Sequence, residues 1–463
     1  MSTLTVATPT AARSAGTGWA PLLVVLAGTF VTFLDFFIVN VALPSIHDEL
    51  HASSAAVSLV VAGYGLTFAV GMITGGRLGD IYGRRRMFAI GLVLFTLTSA
   101  GCGLAPTAGA LVAARILQGA AGALLTPQVL AILGTVYEGP RRNTAFAAYG
   151  FAMGIAGVLG QLVGGALIQA DVAGLGWRAI FLINVPVGLA TLPFVARVVP
   201  ESHGGRARVD LFGVLLGSAA VTALVLPLVE GREHGWPAWT WVSLALAPVL
   251  GTVFVAHQRW RTALDRAPLV ELTLFRVRSF AIGSLAALTF SLVPPSFFFV
   301  LALYLQQGRG YSALFSGEVF VAVGIGYFAA LLLATPLALR LKHQVLVLGS
   351  GLVAAGCVVL AENAHASSAW SLAPGLALAG FGIGAVLVPL ASMVLAGVDP
   401  QHAGAAAGVL STAQQVGGAL GVAVVGVVFF GAGPVVHAFT VSLWVLAALT
   451  AATAVLAQAL RTS

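Results

Sequence analysis

Charge is scarce in this sequence. Only 8% of its 463 residues are charged, where a water-soluble chain carries roughly a quarter. With 59% hydrophobic residues, the chain calls for a solvent that does not demand charge, and that solvent is lipid. Cysteine is scarcer still: Cys102 and Cys357 each fall inside an apolar run with no partner nearby, which excludes a disulfide framework, thiol chemistry and a cysteine metal site. No His, Cys and carboxylate cluster has metal-ligand spacing, and no phosphate-cradling glycine loop precedes a lysine. An ATP-driven pump and a membrane metalloenzyme are therefore not expected, nor is any bound cofactor. The net charge of +7 does not point to nucleic acid, because the arginines sit singly or in short groups between apolar segments.

Long apolar segments are abundant instead. A membrane-crossing helix needs about 20 mainly apolar residues, and fourteen segments meet that length, near 20–43, 55–76, 87–105, 108–134, 144–169, 177–198, 211–230, 239–257, 279–305, 313–339, 343–361, 370–395, 404–430 and 434–459. The first is too long for a signal-peptide core and is expected to be a retained span, preceded by a disordered tail over 1–19.

Between the second and third segments lies Gly76-Arg-Leu-Gly-Asp80-Ile-Tyr-Gly83-Arg84-Arg85-Arg86, expected to be a tight polar turn at the cytoplasmic surface. With both termini cytoplasmic, that side holds eighteen of the twenty-two basic residues: Arg13, Arg77, Arg84, Arg85, Arg86, Arg141, Arg142, Arg197, Arg206, Arg208, Arg259, Arg261, Arg266, Arg276, Arg278, Arg340, Lys342 and Arg461. The outer loops hold Arg178, Arg232 and Arg309, and Arg115 lies within a span. Losing or adding an odd number of spans early in the chain would destroy this asymmetry.

An internal repeat is also present. Gly122-Ala123-Leu-Leu-Thr-Pro127 in span four matches Gly384-Ala385-Val-Leu-Val-Pro389 in span twelve, and each is followed by a proline-bearing loop, at Pro140 or Pro400, and a Gly/Ala-rich span. The reading is an all-α integral membrane protein with an N-terminal six-helix half over 20–198 and a C-terminal half over 279–459. A linker over 199–278 carries two additional spans (about 211–257), and a short tail over 460–463 closes the chain.

Two charges are buried in apolar sequence. Asp35 sits mid-span in Thr-Phe-Leu-Asp35-Phe-Phe-Ile-Val-Asn40, and Arg115 lies a few residues into span four. A charge at the bilayer centre costs at least about 2.5–3.5 kcal/mol, so such residues face a cavity or a partner. Desolvation disfavours a carboxylate and a nearby cation favours it, a balance that suits Asp35 to loading and releasing a proton. Glu318, at the start of span ten, is a weaker candidate. Asn40, Tyr64, Gln118, Gln161, Asn184 and Gln414 are sparse polar groups at membrane depth, expected to line a mostly apolar substrate cavity; that sparseness argues against a sugar or an amino acid as cargo. For Gln161 an interhelical bond is the competing reading. Gly154, Gly157, Gly160, Gly164 and Gly165 give span five a flat face for close helix approach, either as static packing or as a gate.

These residues resemble a known family. Gly76 to Arg86 resembles the loop-two-three signature of the major facilitator superfamily, and Arg115-Ile-Leu-Gln118-Gly119-Ala-Ala-Gly122 its span-four signature. Leu34-Asp35-Phe-Phe-Ile-Val-Asn40-Val-Ala-Leu-Pro44 is similar to the span-one motif of its fourteen-span drug:proton antiporter branch; Gly176-Trp177-Arg178 through Gly188 and Tyr304-Leu-Gln306 through Ser312 resemble that branch too. The resemblance implies a bacterial inner-membrane exporter of drugs or antibiotics, working by alternating access as a monomer against an inward flow of protons. It implies proton coupling by Asp35, proton transfer by Arg115, and a conformational latch made of Gly76, Asp80, Gly83, Arg84 and Arg85. Ile81 stands where the loop signature has a basic residue, and Gln161 where the span-five motif has a proline, which removes an expected kink. The competing readings are a dedicated exporter or uniporter of one endogenous metabolite or lipid and, remotely, a membrane sensor or enzyme, which would need a soluble domain or a catalytic constellation.

Overall fold

The computed structural model describes residues 18–204, 210–232, 234–264, 266, 268–395, 398 and 403–460. The expected tail up to residue 17, with Arg13, and Arg206, Arg208, Pro400 and Arg461 lie outside these residues. Among the described residues there are helices and no strands, and fourteen helices are long and apolar enough to cross a membrane. Spans one to five are Ala20–Leu50, Ser54–Tyr82, Arg84–Gly103, Ala108–Val136 and Gly139–Ala170. Span six is Gly176–Val198, seven is Leu211–Glu230, eight is Ala238–Ala263 and nine is Arg278–Gly308. Spans ten to fourteen are Ala313–Leu341, Gln344–Glu362, Ala369–Leu395, Ala403–Gly431 and Val435–Ala459.

Local chemistry sets the breaks. The Ser53 and Thr107 side chains accept from Ala56 N and Ala110 N at 3.1 and 3.2 Å and so cap spans two and four. Span six is interrupted at Ile183, where Pro186 offers no N–H to the Leu182 carbonyl one turn back; Pro294 and Pro295 interrupt span nine at Leu292 in the same way. The expected polar turn is not a loop. Span two stays helical through Tyr82 and span three begins at Arg84, so the connection is Gly83 alone, at φ +102°. That φ favours glycine, and a Cβ there would also stand 2.7 Å from the Glu201 carboxyl carbon.

The two groups of six helices pack by one pattern. Span one contacts spans five and six, two contacts four, three contacts four and six; correspondingly, nine contacts thirteen and fourteen, ten contacts twelve, eleven contacts twelve and fourteen. The groups meet through reciprocal pairs, five against ten and two against thirteen. At the repeated motif, Gly122 faces Tyr64 and Phe68 of span two, while Gly384 faces Ala330 and Tyr327 of span ten.

Spans seven and eight pack on each other, and seven also touches spans two and thirteen. Asp210 holds the base of this pair. It accepts from Gly213 N at 3.0 Å, His257 Nε2 at 2.9 Å and Gln258 Nε2 at 3.1 Å, with Arg261 at 3.4 Å. Gln258 Oε1 in turn accepts from Leu269 N and Val270 N, tying the pair to the segment that leads into span nine.

Candidate functional site

Asp35 is the sixteenth of thirty-one residues in span one, at the middle of the helix. Both Asp35 and Arg115 are 0% exposed, and Arg115 Nη1 lies 2.5 Å from Asp35 Oδ2. Removing two charges from water is costly, so such a pair persists only where further hydrogen bonds complete it. Asp35 Oδ1 accepts from Gln118 Nε2 at 2.9 Å and Asn184 Nδ2 at 2.7 Å. Arg115 also donates from Nε to the Val60 carbonyl at 2.9 Å and from Nη1 to Gln118 Oε1 at 2.8 Å. Ser99 Oγ accepts from both Gln118 and Asn184, and the Cys102 thiol donates to Gln118 Oε1. Five spans thus converge on one carboxylate.

Two buried atoms in this network have no hydrogen-bond partner, Arg115 Nη2 and Asn184 Oδ1. The guanidinium instead lies 4.2 Å from the centre of the Tyr64 ring and 5.6 Å from that of Phe181. A cation over an aromatic face is stabilised by about 0.5–2 kcal/mol.

The other face of this wall is a cavity of about 200 Å³ between the two groups of six helices. Of the polar residues expected in a cavity wall, Tyr64 and Gln414 line this one. Asn40, Gln118, Gln161 and Asn184 do not line it. Gln118 and Asn184 are spent on Asp35, because a buried carboxylate must recruit nearby donors. Asn40 Nδ2 and Gln161 Nε2 both donate to the Phe37 carbonyl, at 3.0 and 2.5 Å, so Gln161 makes an interhelical bond and span five runs on as a continuous helix. Glu318 is exposed and takes no part. Sequence reasoning missed Ser99, which had no signal beyond being a hydroxyl in an apolar run. It also missed the aromatic lining, Phe36 and Phe37 from one group and Phe298, Phe320 and Tyr327 from the other, since phenylalanine in a membrane span is ordinary.

The glycines of span five divide by neighbour. Gly154 lines the cavity beside Tyr327; Gly157, Gly160 and Gly164 lie against Phe37, Ile38 and Val41 of span one. Gly165 abuts span ten, where a Cβ would stand 2.7 Å from Leu314 Cα, and Gly317 of span ten abuts Leu162 Cα at 3.0 Å. Gln306 Nε2 also donates to the Val41 carbonyl at 2.8 Å. These contacts join the two groups at the end of the cavity remote from the arginines. Towards the arginine-rich end, a methyl at Gly150 or Gly408 would meet nothing within 4 Å.

At the arginine-rich end, Arg84 Nη2 and Asp80 Oδ1 are 2.9 Å apart, and Glu201 accepts from the Arg85 and Arg86 N–H groups at 2.9 and 3.2 Å. Gly76 sits on span two near Pro127. Asp80 and Arg84 belong to the first six-helix group, and Glu201 to the segment that follows span six, drawn in by the N–H groups opening span three; among the described residues none of these ion pairs crosses to the second group.

Comparison with known proteins agrees with this architecture. The family profile described as Major Facilitator Superfamily matches residues 25–422. A probable actinorhodin transporter of Streptomyces coelicolor is 39% identical over 89% of this chain and 72% of its own length. The cephamycin export protein CmcT of Amycolatopsis lactamdurans is 36% identical over 89% of this chain and 85% of its own length, and the tetracenomycin C resistance and export protein of Streptomyces glaucescens is 33% identical over 89% and 76%. Among solved structures, a D-xylose–proton symporter superposes with a TM-score of 0.68 at 17% identity, covering 95% of this chain and 97% of its own, which shows the shared fold. The chain belongs to the major facilitator superfamily and is a multi-pass membrane transporter of small molecules, not an enzyme.

Proposed function

We propose that this transporter exports apolar or amphipathic organic compounds, drugs or antibiotics among them, in exchange for protons by alternating access. The observation that carries the reading is a fully buried Asp35–Arg115 pair separated by one side chain, Tyr64, from an apolar cavity walled by both halves. The export named in its relatives supports the direction of transport.

A proton reaching Asp35 cancels the charge that holds Arg115. The protonated carboxyl then needs an acceptor, and Asn184, whose Oδ1 is unpartnered, can supply one by turning its amide. Arg115, released from the carboxylate, keeps its contact with the Tyr64 ring and carries the change to the cavity wall. With the arginine-rich end in the cytoplasm of a bacterial cell, the end at which spans five and ten meet backbone to backbone faces outward, an arrangement that suits loading from inside. Each proton returning down 100 mV supplies about 2.3 kcal/mol, and each pH unit about 1.4.

The test is efflux from liposomes under an imposed pH gradient. Wild type should couple cargo movement to the gradient, and Asp35→Asn, purified as a monodisperse protein, should not. Undiminished proton-driven efflux by that variant would remove Asp35 from the mechanism.

A further inference from the structure

The class of cargo can be read more finely, an inference that rests on the export reading above. Aromatic rings line the cavity from both halves, with Phe37 and Phe298 at 5.4 Å and Phe36 and Tyr64 at 5.8 Å between ring centres, the rings of each pair tilted by 51° and 46°. Polar side chains in the lining are Thr32, Tyr64, Ser291, Tyr327, Gln414 and Gln415. None of the described residues lining the cavity carries a charge. Asp35, the carboxylate buried behind Tyr64, cannot fill that gap, since it has no exposure and both its oxygens already accept hydrogen bonds. Aromatic faces do attract cations, yet the face of Tyr64 already holds Arg115, whose positive charge stands just behind the wall. A permanent cation entering here would give up its hydration and meet no carboxylate.

We infer that the cavity selects flat, uncharged aromatic compounds with a carbonyl or ring nitrogen at one edge, received by the carboxamides of Gln414 and Gln415. An uncharged cargo has a consequence for energetics. One proton binds Asp35 from the outer side and leaves to the inner side while the cargo crosses outward unchanged, so each cycle carries positive charge inward. Transport therefore responds to membrane voltage as well as to the pH gradient, whereas one-for-one exchange of a proton and a monovalent cation would respond to the pH gradient alone.

The probes are ethidium, a permanent cation built on a substituted phenanthridinium ring, and phenanthridine, the uncharged parent ring. Equilibrium binding to the purified full-length protein should favour phenanthridine by about tenfold or more; equal or tighter ethidium binding overturns the inference. Gln414→Glu places a carboxylate in the cavity and should raise ethidium affinity by about tenfold, and a folded variant with no such gain also overturns it. In liposomes at equal pH on both sides, a potassium diffusion potential should drive phenanthridine-dependent proton movement; movement that ignores the potential overturns the electrogenic cycle. The two readings fail separately. Preferred phenanthridine binding without any proton flux would support the cargo class and end the antiport reading, while proton-coupled export of ethidium with phenanthridine inert would end the cargo class and leave antiport standing.

Discussion

The two halves share a motif, a packing pattern and a cavity, yet among the described residues only the first holds a buried charge pair. Counting seven residues back from Gly122 gives Arg115; counting seven back from Gly384 gives Ala377. Counting four back gives Gln118 in the first half and Gly380 in the second. Where the first half brings polar side chains together around Asp35, the second brings backbones together: a Cβ on Gly380 would stand within about 3 Å of Val323 Cα. The repeat thus conserves the places where helices cross and lets the groups at those places diverge. One half carries the buried ion pair, and the other presents a largely apolar wall to the cavity beside it.

Substitutions at matched positions sharpen this contrast. Asp35→Asn should have the largest functional effect, abolishing coupled transport, while Ser291→Ala in the cavity wall of the second half should leave coupling intact; flux in liposomes reads both. Arg115→Ala strands a buried carboxylate and should destabilise by about 3–5 kcal/mol, whereas Ala377→Ser at the matched position should stay within about 1 kcal/mol. Thermal unfolding in detergent checks the pair, and equal losses would break the contrast between the halves.

The reciprocal crossings are also unequal. Span five meets span ten backbone to backbone at Gly165, so Gly165→Leu should cost about 1–3 kcal/mol and slow transport. Span two meets span thirteen more loosely: a Cβ on Gly65 would lie 3.6 Å from Ala419 Cβ, an ordinary contact, so Gly65→Ala should be nearly neutral. A Gly65→Ala variant as impaired as Gly165→Leu would show that both crossings are equally tight.

Smaller effects are expected at the arginine-rich end and in the additional pair. Glu201→Ala removes a carboxylate from the start of span three and should cost about 1 kcal/mol, more than Asp80→Asn at a partly exposed ion pair. Burial opposes the Asp210 carboxylate, but His257, the Gly213 N–H, Gln258 and Arg261 together outweigh it and hold its pKa below the usual value. The stabilisation is therefore complete above the ordinary aspartate pKa of about 3.9 and is lost as pH falls through the lower folded value. The stability gap between wild type and Asp210→Asn should accordingly hold steady above about pH 4 and narrow as the pH falls below it.

Much of the site was legible because lipid makes charge conspicuous. Asp35 and Arg115 stood out as charges in apolar runs, and both are at the centre of the arrangement. The repeat and the fourteen spans followed from periodic apolar length and loop charge. Gln118 and Asn184 were misplaced because polarity at membrane depth has two causes, a wet cavity or a buried ion that must be solvated by protein, and spacing along one chain does not separate them. The turn at Gly76 to Arg86 was misread for a related reason. Its charge suggested a loop, but a helix can project beyond the apolar layer and keep its hydrogen bonds, leaving Gly83 alone to reverse the chain.

The most direct test of the central claim is proton release on cargo binding, followed in lightly buffered detergent solution with the purified protein. Phenanthridine should displace a proton from wild type and none from Asp35→Asn that still binds it. Equal release from both proteins, or cargo binding to wild type with no release at all, would contradict an exchange between cargo and a proton on Asp35.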